Sequence, residues 1–240
     1  MIKWTYIDDP PNSGEYNMNK DADILAKYLT EQDKPVFRIY QWDSPTISLG
    51  RFQNAEDALF LDACRADGVA FVQRMTGGGA IYHTPNEITY SLACHDSFIG
   101  DKLSVKETYK VLCGFILEFY RRLGFEANFA LDIIPPGTEI LGMKSNLCFA
   151  AKEEYDIVIN GHKIGGNAQK RVKHVIFQHG SIPLTFDGLS LQKYIKDIPA
   201  DIGSRATSLR QLGVSEDITT LRSMLRESFE RVIVGGKIIR

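Results

Sequence analysis

Apolar residues recur along this chain in two rhythms. At positions 18, 22, 25 and 29, and again at 105, 112, 116, 119 and 123, they share one side of a 3.6-residue repeat, which predicts helices over 18–29 and 105–123. A helix is also predicted from Asn54, a good N-cap, to Gly68, a stop, and another from about Asp217 through Val232. Elsewhere the apolar runs are short and alternate, which predicts strands at VFRIY (36–40), TISLG (46–50), AFVQRM (70–75), AIYH (80–83), EITYSLACH (87–95), NLCFAA (146–151), EYDIVI (154–159) and VIFQHGSIPL (175–184). WDSP reads as the turn between the first two. Strands that succeed one another with only a few helices between them predict an α+β fold, a mixed and largely antiparallel sheet flanked by helices, not a repeating βαβ pattern. No break in composition demands a second domain, so one domain over 1–240 is expected, with a short helical tail from about 205.

Composition narrows the function classes. The 240 residues are 44% hydrophobic and 24% charged, enough for a substantial core without metals or crosslinks. A formal net charge of −2 supplies no basic field for nucleic acid. No run approaches the roughly 18 apolar residues of a membrane span, and the opening MIKWTYIDDPPNSG is too polar for a signal peptide. Four cysteines, at 64, 94, 113 and 148, form no CxxC pair, so neither a zinc site nor a disulfide framework is expected and a reducing cytoplasm is.

Two glycine clusters carry the candidate chemistry. In EYDIVINGHKIGG, Asn160-Gly161 suits the centre of a type I′ hairpin turn, and Lys163 follows just beyond it. Gly165 and Gly166 let the backbone bend sharply or lie against a ligand. The alternative is a plain surface hairpin with a solvated lysine. In RMTGGGAIYH, Gly77, Gly78 and Gly79 can present backbone N–H groups to a carbonyl or an anion, and Arg74 can pair with an anion. No Gly-Lys-Ser/Thr follows and a strand comes next, so neither a P-loop nor a dinucleotide fingerprint fits. The alternative there is a tight turn with Arg74 at the surface; His83 reads either as a base or ligand or as a satisfied structural group. Cys64, Cys94 and Cys113 read as small hydrophobes. Cys148 precedes the lysine hairpin; if neighbouring strands bring the two together, the ammonium favours the thiolate.

These segments resemble the lipoate–protein ligase and octanoyltransferase family, relatives of biotin protein ligases. The likeness is carried by YQWDSPTISLGRFQ (40–53), QRMTGGGAIYHTPNEITYS (73–91), NLCFAAKEEYDIVINGHKIGGNAQKR (146–171) and FQHGSIPL (177–184), four blocks in the family's order along nearly the whole chain. It is greatest toward the single-domain octanoyltransferase branch, in which a cysteine stands where Cys148 does and the essential lysine matches Lys163. The resemblance implies a biotin protein ligase-like catalytic domain. It also implies an acyl tunnel walled by the two glycine segments, drawing on Arg74, Thr76, Gly77, Gly78, Gly79, Tyr82, His83, Gly165, Gly166, Asn167, Ala168, His179 and Gly180. Octanoyl would come from acyl carrier protein, pass through a Cys148 thioester, and end on a lysine of a lipoyl domain such as the glycine cleavage H protein. No metal or cofactor is implied for that route. The same blocks resemble ATP-dependent lipoate ligases, which would use ATP and magnesium to make lipoyl-AMP. A catalytically silent lipoyl-domain binder is the third reading. QKRVKH (169–174) is a basic stretch that would either steer acidic partners or guard a sheet edge.

Overall fold

The computed structural model describes residues 3–31, 34–85, 87–100, 103–133 and 154–235. Its elements are β1 (Thr5–Asn12), α1 (Gly14–Glu31), β2 (Val36–Trp42), β3 (Thr46–Leu49), α2 (Ala55–Ala58), α3 (Leu61–Ala66), β4 (Ala70–Gln73), β5 (Ile81–His83), β6 (Glu87–His95), α4 (Val105–Arg122), β7 (Ala127–Phe129), α5 (Ala130–Ile133), β8 (Ile157–Ile159), β9 (His162–Lys163), β10 (Gly166–Val172), β11 (Val175–Pro183), α6 (Gly188–Tyr194) and α7 (Ile218–Phe229). A five-stranded sheet runs in the order β1-β2-β6-β11-β10, beside two three-stranded sheets, β4-β3-β5 and β7-β8-β9. Among the described strands, β1/β2 and β3/β4 pair in parallel and the other pairs are antiparallel. The α+β class and its mixed, largely antiparallel sheets are as the strand pattern predicts.

Period-two alternation decides which residues meet in the main sheet. On β6, Ile88, Tyr90, Leu92 and Cys94 enter the principal core with Leu112, Phe115, Ile116 and Phe119 of α4 and Leu221, Leu225 and Phe229 of α7. Full burial of each Leu, Ile or Phe here is worth about 1.5–3 kcal/mol. Phe37 stacks on Phe229 at 3.9 Å between ring centroids, clamping α7 to the sheet. The 217–232 segment is therefore part of the core and not an appended tail; Asp217 caps α7 by accepting from Thr219 and Thr220 N–H groups. On the opposite face Ala93 meets Ile24, Leu25 and Tyr28 of α1. The β3 sheet has its own small core with α2, α3 and α6.

Several local expectations change. The predicted 105–123 helix is α4, started by a capping box between Ser104 and Glu107. The predicted 54–68 helix is two short pieces: Leu59 turns extended to bridge Ile195, and the Phe60 N–H donates to Tyr194 O. Asn54 is the N-cap, as read. TISLG and VFRIY are strands, but they belong to different sheets. β1 escapes the alternation rule because Asp8-Asp9-Pro10-Pro11 looks like a loop; it is an edge strand with a register shift between Asp8 and Pro11, where proline is tolerated. The first helix begins earlier than expected and turns a different face inward: Asn17, Asp21, Ile24, Leu25 and Tyr28 are buried, whereas Ala22 is exposed. Two polar groups on the buried face of α1 need a partner inside, and the sheet supplies one. The strand expected at NLCFAA lies outside the described residues.

Candidate active site

The partner is Arg38 on β2, fully buried. Its Nε donates to Asp9 Oδ2 at 2.7 Å, Nη1 to Asp21 Oδ1 at 2.8 Å and Nη2 to Asn17 Oδ1 at 2.8 Å. Asp21 also accepts from the Ser91 hydroxyl at 2.7 Å and the Tyr40 hydroxyl at 3.0 Å. Burial alone would raise the Asp21 pKa; His179, Arg38 and Ser91 outweigh it and hold the carboxyl below its ordinary 3.8. His179 on β11 reaches Asp21 Oδ2 with Nδ1 at 3.6 Å and the Thr76 hydroxyl with Nε2 at 2.6 Å. Burial pushes its imidazole below the usual 6.5 against the pull of Asp21, and Arg74 and His83 add to the depression. In its neutral form, a ring with its proton on Nδ1 would face the carboxylate and leave Nε2 to accept from Thr76. This chain of bonds ties α1 and the main sheet to the glycine loop.

A small cavity opens beside that chain. Met18, Trp42, Ile81 and Ala168 give it apolar wall; Ser48, His83, Thr89 and Ser181 give it polar wall. Arg74 is 2% exposed, with Nη1 donating to Ser48 O at 2.7 Å and Nη2 to Gly77 O at 2.8 Å and Gly79 O at 2.7 Å. The guanidinium thus braces the loop through its own carbonyl oxygens, where the sequence suggested an external anion. On the far side, Asn167 Oδ1 accepts from the Tyr90 hydroxyl at 2.7 Å. Gly180 makes that bond possible: a Cβ there would stand 2.2 Å from Asn167 Oδ1 and 2.6 Å from Tyr90 Cε1.

The lysine hairpin forms as its sequence predicts. Asn160 (φ 51°) and Gly161 (φ 78°) both take the left-handed region, and Ile159 pairs with His162 across the turn. Lys163, however, is no solvated side chain. It is 1% exposed, and Nζ lies 2.6 Å from Asp156 Oδ2. Its main chain is gripped as well, the N–H donating to Arg205 O at 3.1 Å and the carbonyl accepting from Thr207 N at 2.9 Å. Because Val158 pairs with Lys163, Asp156 lies diagonally across the strands on the same face. Gly165 then takes φ +82°, and a Cβ there would approach Ser181 O to 2.1 Å, so the strand presses its main chain against β11 and brings Gly166, Asn167 and Ala168 onto the cavity. A buried ion pair costs desolvation that an apolar pair would not.

The family model described as the lipoyl protein ligase A/B catalytic domain matches residues 13–230. The chain belongs to this family. Among its relatives, the Octanoyltransferase LipM of Lysinibacillus sphaericus is 38% identical over 188 residues, covering 78% of this chain and 68% of that one. The Octanoyltransferase LipM of Kyrpidia tusciae is 32% identical and covers 97% and 88%. The fold is also that of lipoate-protein ligase A bound with ATP, with a TM-score of 0.77 at 22% identity, covering 97% of this chain and 85% of that one. A putative lipoate protein ligase from T. acidophilum, solved with bound lipoic acid, gives 0.73 at 22% identity, covering 97% and 86%.

Of the residues that the family resemblance nominated, Arg74, Gly77, Gly78, His83, Gly166, Asn167, Ala168, His179 and Gly180 line this cavity. Thr76 supports it through His179, Gly79 through Arg74, and Gly165 through the bend against β11. Tyr82 does not line it; its ring stacks on Tyr194, 5.7 Å away, in the β3-sheet core. Cys148 lies outside the described residues. Cys64, Cys94 and Cys113 are buried, and burial pushes the Cys94 and Cys113 thiols up to about 12, which keeps them protonated and inert. Sequence reasoning missed Asp156, Asp21, Arg38, Ser48, Glu87 and Ser181. Asp156 was within reach, since counting back across the Asn-Gly turn places it on the lysine's face. The others are polar residues at inward positions of strands or of α1, a signal that a search for glycine loops passes over.

Proposed function

We propose that this chain is an octanoyltransferase of protein lipoylation, carrying octanoyl from acyl carrier protein to a lysine of a lipoyl domain, such as that of the glycine cleavage H protein. The observation that supports the reading is the cavity: part apolar and part polar in its walls, bordered by two glycine segments, with a buried lysine three residues before its edge. The octanoyl group itself is suggested by the relatives named Octanoyltransferase LipM. Cys148 attacks the carrier's thioester carbonyl, the carrier thiol leaves, and an acyl-enzyme thioester forms. The acceptor lysine then displaces Cys148 and an amide results. Exchange of one thioester for another is nearly balanced, so no ATP is consumed. Lys163 holds positive charge toward the carbonyl oxygen as it becomes an oxyanion, worth roughly 10²–10³ in rate for one well-placed donor. Asp156 fixes where that charge sits.

The test mixes the protein and an acceptor lipoyl domain with octanoyl carrier protein alone, or with lipoate, ATP and magnesium. Modified acceptor in the first mixture is expected. Product only in the second would move the chain to the ligase reading, and product in neither would leave a binding role.

A further inference from the structure

Ser48, His83 and Glu87 form a second chain of chemistry in the cavity wall, independent of Cys148. Ser48 Oγ is 2.7 Å from His83 Nε2, and His83 Nδ1 is 2.6 Å from Glu87 Oε1. All three are at least 97% buried. The imidazole is clamped by Trp42, whose ring stacks on it at 3.9 Å and 11°. The carboxylate is held by the Thr89 hydroxyl at 2.8 Å, whose oxygen accepts in turn from Trp42 Nε1 at 2.9 Å. With the ring proton on Nδ1, toward Glu87, Nε2 is left to accept the serine hydroxyl. That is the order of nucleophile, base and orienting carboxylate by which serine hydrolases on unrelated folds are recognised. Arg74 Nη1, 3.4 Å from Ser48 Oγ, places a fixed positive charge beside it. Ser48 and His83 both face the cavity, as does Ser181, whose buried hydroxyl has no hydrogen-bond partner among the described residues.

We propose that Ser48 is a second acyl-accepting nucleophile, through which the chain hydrolyses medium-chain acyl esters and thioesters. The substrate class rests on reading the cavity as an acyl site; the nucleophile rests on geometry alone. Ser48 Oγ attacks the carbonyl carbon while its proton passes to His83 Nε2. The carbon–sulfur or carbon–oxygen bond breaks, and the leaving group takes that proton. Water then attacks the acyl-serine, giving a proton to His83, and the ester bond to Ser48 breaks with return of the proton to Oγ. The fatty acid leaves. Ser181 and Arg74 are placed to donate toward the oxyanion. A merely structural relay would tie three strands together and react with nothing.

The experiment uses the full chain with Cys148→Ala, so that no proposed thiol nucleophile remains, and an octyl fluorophosphonate probe. One adduct is expected by intact mass, mapped to Ser48 by peptide analysis. It should be absent in Ser48→Ala, and labelling should slow at least about 100-fold in His83→Gln, which keeps the serine and removes the base. Melting temperatures are read alongside, and the His83→Gln result stands even where Ser48→Ala fails to fold. No adduct on a folded chain, an adduct elsewhere, or unchanged labelling in His83→Gln overturns the proposal. Octanoyl transfer to a lipoyl domain plays no part in this labelling, so the two readings fail separately.

Discussion

The Lys163 ammonium stands 2.6 Å from the Asp156 carboxylate, with both side chains shut away from solvent. The arrangement follows from the Asn160-Gly161 turn, which sets the register, and from residues 205–207, which pin the lysine's main chain on its other side. Removing one member of a buried ion pair costs about 3–5 kcal/mol. Lys163→Met and Asp156→Leu should each unfold at markedly lower denaturant. The double variant should regain most of the loss while remaining at least about 100-fold slower in octanoyl transfer. Activity returning with stability in the double variant would mean that the pair only holds the fold.

The glycine segments make a steric prediction. Gly165→Ala forces a Cβ onto a positive-φ backbone and against Ser181 O. It should lose at least about 1–3 kcal/mol by equilibrium urea unfolding. A midpoint equal to that of the parent would show that the strand does not press on β11 as described. Gly180→Ala should instead separate Asn167 from Tyr90 and distort the cavity, weakening octanoyl binding more than stability.

Acid should loosen the bond chain through His179. Its folded-state pKa is held below 6.5, so the unfolded chain takes up the proton first. The stability that this group contributes is complete above about pH 6.5 and declines as pH falls below it. Asp21, held below 3.8, adds a further loss only at lower pH, as its carboxylate protonates. Melting temperature followed from pH 7.5 to pH 5 should fall, and His179→Gln should flatten that slope. An unchanged slope contradicts the assignment of a neutral, buried His179.

Thiol chemistry should single out one cysteine. Cys94 and Cys113 are buried, with pKa values near 12, and burial raises Cys64 as well. Iodoacetamide at pH 8, followed by peptide mapping, should modify Cys148 far faster than these three. Equal labelling of Cys113 would show that its surroundings open in solution.

What could be read from the sequence follows physical lines. Strong periodicity revealed α4 and β6, and turn chemistry revealed the Asn160-Gly161 hairpin. The strands' membership of separate sheets was hidden, since alternation says which face a residue takes and not which strand lies beside it. The inner face of α1 was misread because Asn17 and Asp21 look like solvent-facing residues until Arg38 is placed opposite them. At the site, glycine loops announce themselves by composition. Ser48, Glu87 and Asp156 look ordinary in sequence, and become chemical only through neighbours 35, 4 and 7 residues away.

Covalent transfer through Cys148 under the charge of Lys163 is tested most directly by intact mass. The protein is incubated with octanoyl carrier protein in the absence of acceptor. A single octanoyl addition is predicted, missing in Cys148→Ser, slow to form in Lys163→Met, and discharged when a lipoyl domain is added. An addition that persists in Cys148→Ser, or an octanoylated acceptor produced by that variant at the parent's rate, would contradict it.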